Sequence, residues 1–235
     1  MTAMTGVKII VPLAGPDFEL ADGRTKAEIE IDGRPLLRRA LEARPWSGAL
    51  NGADHVFVLR DTERSRAFAD ERIADWYPAA RCVFLGAPTA GAALSALAGV
   101  ALIASAEAIL CIDLADILYD TAFDPMTLRK DPTAGAAALI FPSSDPIYSY
   151  VRLGTDGRID EAAEKRPISH LASAGTYFFA NPAIYLRAVA HSLRHRDTVT
   201  FNSLFYVCPL MNGVVAEGLR PLAVPVSNVQ DIKRA

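Results

Sequence analysis

Residues 7–37 read VKIIVPLAGPDFELADGRTKAEIEIDGRPLL. The apolar run Lys8–Pro12 has the character of a β-strand and ends in the turn pair Ala14-Gly15. A loop carrying Arg24 and Lys26 follows, and Asp32-Gly33-Arg34-Pro35 opens a helix expected over Pro35–Ala43. Strand, glycine turn, lysine and helix start make the layout of a phosphate site. Backbone N–H groups at such a turn favour anions, and an ammonium adds a point charge. A plain surface loop with an ordinary lysine has the same composition.

Outward from this stretch, apolar runs alternate with helix-period segments, the mark of βαβ units. His55–Arg60, Arg81–Leu85 and Ala108–Ile112 read as strands. Thr62–Trp76 reads as a helix with Phe68, Ile73 and Trp76 on one face, and Gly91–Ala104 as a second helix. The later half changes character. Gly135–Pro142 is a strand, and Ser149–Leu153 and Arg158–Glu161 flank the hairpin signal Asp156-Gly157. Gly175–Phe179 is a strand, a helix starts from Asn181, and Leu219–Val226 supplies a late strand. No repeat or linker divides the chain, so 1–235 is expected to form a single domain around a mixed sheet.

With 51% apolar residues in 235, the chain can bury a sizeable core. A net charge of −3 with both signs interspersed argues against a nucleic-acid surface built on bulk charge, though not against a local anion site. Cys82, Cys111 and Cys208 are widely spaced in apolar runs, giving neither a disulfide framework nor a zinc pattern. Buried thiols in a reducing cytoplasm are expected. The start MTAMTG has no basic leader region, and the alanine-rich stretch 90–112 reads as a helix and core strand rather than a membrane span. A soluble, cytoplasmic protein follows, with a homo-oligomer left open. His55, His170, His191 and His195 form no ligand spacing.

Three further segments carry candidate chemistry. Ile109-Leu110-Cys111-Ile112-Asp113-Leu114-Ala115-Asp116 puts carboxylates at the end of a core strand, where open α/β sheets bind ligands. Asp116 there can hold Mg²⁺, while strand alternation turns Asp113 away. An acidic strand-end turn is the plain alternative. Ala87-Pro88-Thr89-Ala90-Gly91-Ala92-Ala93 is a small-residue turn that lets backbone groups reach the edge of a flat ring, or simply lets a helix pack closely. Glu164-Lys165, ahead of Ala174-Gly175-Thr176-Tyr177, offers a carboxylate for hydroxyls and an ammonium for a phosphate, or a solvated ion pair.

In this order the segments resemble the sugar nucleotidyltransferases, across nearly the whole chain. VPLAG, Lys26 and DGRPLL resemble the family's phosphate loop, lysine and helix start. APTAGAA is similar to the base-reading turn, and CIDLADILYD to the strand with the metal aspartate. EKRPIS with ASAGTYFF is similar to the acceptor segment. FYVCPLMN, with Tyr206, Pro209 and Asn212, resembles a segment of one branch of the family. The resemblance implies a Rossmann-like three-layer α/β/α fold of the nucleotide-diphospho-sugar transferase type, with a mixed, mostly parallel sheet. It implies a nucleotide-binding half over 1–120 and an acceptor half over 121–235. Lys26 and Asp116 would be catalytic, with Asp116 the Mg²⁺ ligand. Ala14, Gly15, Ala87, Thr89 and Gly91 would bind the nucleotide, and Glu164, Lys165 and Gly175 the acceptor. The substrates implied are a nucleoside triphosphate and a small phosphorylated acceptor, with pyrophosphate released; the FYVCPLMN feature points towards surface-polysaccharide precursors.

The chain also departs from that pattern. Where the family loop runs glycine, any residue, glycine, threonine or serine, arginine, this chain reads Gly15-Pro16-Asp17-Phe18-Glu19. Pro16 removes a backbone donor, and Glu19 is expected to set a negative charge near the triphosphate. Thr25 replaces the usual proline before Lys26, and Pro225 stands where many members carry a second metal aspartate. These changes motivate a second expectation, a sensor of the same fold that binds a nucleotide or nucleotide sugar without catalysis. A third is a related glycosyltransferase with Asp113 and Asp116 at one metal.

Overall fold

In the computed structural model residues 6–232 are described; residues 1–5, which carry most of the MTAMTG start, and residues 233–235 lie outside them. The strands in chain order are β1 (Val7–Pro12), β2 (Glu30–Ile31), β3 (Arg34–Pro35), β4 (His55–Arg60), β5 (Arg81–Leu85), β6 (Ile109–Asp113) and β7 (Ile117–Asp120). They continue as β8 (Ala136–Pro142), β9 (Tyr150–Leu153), β10 (Ile159–Ala163), β11 (Leu171–Phe179), β12 (Leu222–Pro225) and β13 (Ser227–Asp231). The α-helices are α1 (Leu36–Glu42), α2 (Glu63–Phe68), α3 (Ala74–Trp76), α4 (Ala92–Val100), α5 (Thr127–Lys130), α6 (Pro182–Arg194), α7 (Arg196–Val199) and α8 (Leu210–Ala216).

Among the described residues nine strands form one sheet, with β5, β4, β1, β6 and β11 side by side, β9 and β10 beyond, and β8 with β12 also joined through β11. The pairings make β10 and β11 the two strands that run against the other seven, so the sheet is mixed and mostly parallel. Both faces are covered. Along β1, Val7, Ile9 and Val11 pack towards α1 and the helix of residues 63–76, while Ile10 packs towards the layer that contains α4, α6 and α8. Burial on both faces is why the core strands read as unbroken apolar runs. The result is the expected three-layer α/β/α architecture.

β1 pairs with β4 on one side and β6 on the other. The chain winds one way from β1 and then the other, which makes the carboxyl end of β1 a topological switch point, where a crevice opens in folds of this kind.

Several elements differ from the sequence reading. Asp32 (φ 51°) and Gly33 (φ 73°) close a two-residue hairpin between β2 and β3 instead of opening the helix. Two successive left-handed residues are what such a turn requires, and Asp-Gly supplies them. The 62–76 helix widens into π geometry over Ala69–Ile73. The helix after Gly91 ends at Val100, tightening through Leu102 N–H to Gly99 O at 3.1 Å. β11 starts at Leu171, with Gly175 (φ 76°) at a bulge inside it instead of at its start. The three cysteines are free thiols, Cys111 and Cys208 buried, and burial pushes Cys82 up to about 11. No helix among the described residues is long and apolar enough to cross a membrane.

Candidate active site

A cavity of about 620 Å³ lies at the carboxyl end of β1. Nine of the ten residues predicted from sequence line it: Ala14, Gly15, Lys26, Thr89, Gly91, Asp116, Glu164, Lys165 and Gly175. Ala87 does not; it is exposed, and its neighbour Pro88 takes the wall instead. Arg24, the second cation of the loop, is held by Asp22 at 2.7 Å and is not part of the lining.

The loop after β1 is folded by the residues that break the family pattern. Leu13 N–H extends the ladder to Val58 O at 2.7 Å, and Phe18 N–H turns back to Gly15 O at 3.2 Å. Phe18 is buried edge-on against Phe68, with ring centroids 5.6 Å apart. Glu19 does not face the cavity. Its carboxylate accepts from the Thr62 hydroxyl, at the N-cap of α2, and from the Ser65 hydroxyl at 2.9 Å. The negative charge expected beside the triphosphate is therefore turned onto the neighbouring helix. Asp17 instead meets Lys26, Nζ to Oδ2 at 3.0 Å. Thr25 is buried, and both its N–H and its hydroxyl donate to Glu28 at 2.9 Å, which fixes the short turn that carries Lys26.

The acidic turn after β6 separates its two carboxylates. Arg44 holds Asp113 at two points, 2.9 and 3.1 Å, and its guanidinium also reaches Ile117 O at 3.2 Å and stacks 3.9 Å from the Tyr119 ring centroid. The Ala115 N–H donates to the same Asp113 carboxylate at 2.9 Å. Ala115 sits at φ 54°, and this left-handed step brings Asp116 to the cavity wall. A Cβ on Gly175 would come 3.3 Å from Asp116 Oδ1, so the glycine keeps open the space beside that carboxylate. Among the described residues no three His, Cys, Asp or Glu side chains form a metal cage. Asp116, with Asp113 taken up by Arg44, suits instead a hard cation that completes its shell with phosphate oxygens and water.

Across the cavity, Thr89 Oγ1 reaches Ser95 Oγ at 2.6 Å and Gly91 O at 3.0 Å. Gly91 (φ 113°) abuts the Phe205 backbone, whose nitrogen would lie 2.7 Å from a Cβ. Close packing thus explains this glycine, and the turn it forms still faces the cavity. In the later half of the chain Glu164 is buried and accepts from the Ser149 hydroxyl. Lys165 stands in the left-handed region (φ 49°), its Nζ 5.4 Å from the Phe201 ring and 5.8 Å from the Tyr206 ring. Asn212 clamps both backbone groups of Ala162 at 2.7 and 2.8 Å, anchoring the strand that leads to Glu164. Pro225 is exposed and pairs along β12 with Ile140.

Sequence reasoning passed over Arg60, Tyr148, Tyr177 and Leu204, which also line the cavity. Arg60 carried a usable signal, since it closes a parallel strand at the ligand-binding end of the sheet. Tyr148 and Tyr177 carried none, because their placement depends on long-range pairing: Tyr148 donates to Asp231 at 2.7 Å.

No family model matches the chain, and no curated protein matches it in sequence. Solved structures match it over nearly its whole length. The nucleoside-diphosphate-sugar pyrophosphorylase from Vibrio cholerae RC9 superposes with a TM-score of 0.79 at 18% identity, over 95% of each chain. A UDP-glucose pyrophosphorylase solved with UDP-glucose gives 0.66 at 18% identity, over 96% of this chain and 93% of the other. The inositol-1-phosphate CTP transferase from T. maritima gives 0.63 at 14% identity, over 95% and 86%. The chain has the fold of the sugar nucleotidyltransferases, the nucleotide-diphospho-sugar transferase fold.

Proposed function

We propose that this chain joins a nucleoside monophosphate, taken from a nucleoside triphosphate, to a sugar phosphate or similar small phosphorylated acceptor, releasing pyrophosphate. The observation that carries this reading is convergence. Lys26, Thr89, Asp116 and the pair Glu164-Lys165 come from four separate segments and line one cavity at the switch point of the sheet. An oxygen of the acceptor phosphate would attack the α-phosphorus in line, and the bond to the pyrophosphate oxygen would break. Positioning and charge neutralisation suffice, with no covalent enzyme intermediate.

Ala14, Gly15 and Lys26 would hold the phosphates, and the turn at Pro88, Thr89 and Gly91 the base. Glu164, Lys165 and Gly175 would seat the acceptor, with the Lys165 ammonium, near the Phe201 and Tyr206 rings, offered to a phosphate. Asp116 suits Mg²⁺, which when bound would neutralise charge on the reacting phosphate oxygens. The Tyr206–Asn212 segment supports a place in making surface-polysaccharide precursors in the cytoplasm. Incubation with each nucleoside triphosphate, Mg²⁺ and a panel of sugar 1-phosphates tests the reading by pyrophosphate release.

One observation favours a second reading, a nucleotide or nucleotide-sugar sensor: the Lys26 charge is already met by Asp17. Tight nucleotide binding that ignores both Mg²⁺ and an Asp116→Ala change would support it. A glycosyltransferase with two aspartates on one metal finds no support, because Asp113 is taken up by Arg44.

A further inference from the structure

Three carboxylates surround the phosphate loop, and each is engaged by another side chain. Asp17 meets Lys26 at 3.0 Å, Glu19 accepts from Thr62 and Ser65, and Asp61 meets Arg66 at 2.6 Å. Arg60 differs. It is half-buried and lines the cavity, and among the described residues its guanidinium has no hydrogen bond or ion pair. A guanidinium partly withdrawn from water without a counter-charge is an arrangement that an incoming anion relieves.

Its place in the sheet says which anion. Arg60 closes β4, which lies between β1 and β5. The phosphate loop follows β1, and the small-residue turn of 86–91 follows β5. A nucleotide with its base at that turn and its phosphates at the loop must cross the carboxyl end of β4. Arg60 pairs in register with Leu85, immediately before the turn, and the Leu13 N–H bonds Val58 O two residues before Arg60. Arg60 therefore stands level with the first residues of both loops.

We propose that Arg60 is the cation that grips the polyphosphate of the bound nucleotide, supplying from β4 the charge that Glu19 withholds from the loop. This rests on the nucleotidyltransferase reading above. The planar fork of a guanidinium engages two phosphate oxygens at once, which Lys26, shared with Asp17, cannot match.

Calorimetry on the full chain tests it, with each nucleoside triphosphate and its parent nucleoside titrated into the unchanged protein, Arg60→Gln and Arg60→Lys. Thermal unfolding midpoints equal to that of the unchanged protein establish that the variants fold. Arg60→Gln should weaken triphosphate binding about 10–100-fold and leave nucleoside binding unchanged, with Arg60→Lys between the two. Triphosphate affinity undiminished in Arg60→Gln would overturn the role of Arg60 while leaving the activity standing. Equal losses for nucleoside and triphosphate would overturn it too, since a general distortion of the cavity would then be the cause. An unchanged protein that binds no triphosphate of any base would overturn the nucleotidyltransferase reading and this inference together.

Discussion

Arg44 and Asp113, their side chains both 1% exposed, form a two-point ion pair, and the same pair ties down the turn that delivers Asp116 to the cavity wall. One carboxylate is used to build the turn so that the next can face a ligand. Burial works against the Arg44 charge, but the adjacent Asp113 carboxylate outweighs it and raises the guanidinium pKa above its usual value. Removing one partner strands the other. Arg44→Met should cost about 3–5 kcal/mol in urea unfolding, and Arg44→Met with Asp113→Leu should recover much of that loss. A double variant no more stable than the single one would show that the pair does more than satisfy itself.

Asp17 tempers Lys26. Asp17→Asn removes a pair that is open to solvent at the aspartate and should raise nucleoside triphosphate affinity by up to about fivefold, the range set by exposed ion pairs. The gain should shrink as salt is added. Titration calorimetry at low and high salt reads both effects, and unaltered affinity would separate Lys26 from the phosphates.

Gly91 and Gly175 should fail differently. At Gly91 a Cβ meets the Phe205 backbone in a left-handed conformation, so Gly91→Ala should cost about 2–3 kcal/mol of stability. At Gly175 the nearest atom is Asp116 Oδ1, at 3.3 Å from the added Cβ. Gly175→Ala should cost only about 1 kcal/mol of stability but most of the pyrophosphate release. Unfolding curves and turnover measured side by side distinguish the two.

His55 gives the fold a pH dependence. Burial lowers its pKa below 6.5, the Nδ1–H donating to Asn51 O at 2.9 Å acting against that shift. The unfolded chain then binds the proton more readily than the folded one. Its contribution is complete above about pH 6.5 and is lost as pH falls through the depressed folded value. His191, lowered by burial and by His195, acts in the same direction. Urea midpoints from pH 5 to 7.5 should rise with pH, and His55→Gln should flatten the slope.

The parallel core could be read from the chain because its strands are buried on both faces and keep their apolar character along their whole length. β4 and β5 match the reading residue for residue. The loop could not be read in the same way. Whether Glu19 faces a triphosphate or a helix is decided by Thr62 and Ser65, more than forty residues later. Asp32-Gly33 held the chemistry of a hairpin turn, but the strands it joins are two residues long and show no alternation. β7 was hidden by the left-handed step at Ala115, which detaches it from β6. The site residues on the turns were legible by type and spacing, whereas Tyr148 and Tyr177 reach the cavity only through pairings made by the folded chain.

Pyrophosphate release is the most direct test of nucleotidyl transfer at this cavity. The unchanged protein, given Mg²⁺, the four common ribonucleoside triphosphates and deoxythymidine triphosphate in turn, and a panel of sugar 1-phosphates, should release pyrophosphate with at least one pairing. Asp116→Asn, folded as before, should lose about 10²–10³ of that rate. Folded protein that releases none with any pairing, or an Asp116→Asn variant as fast as the original, would contradict it.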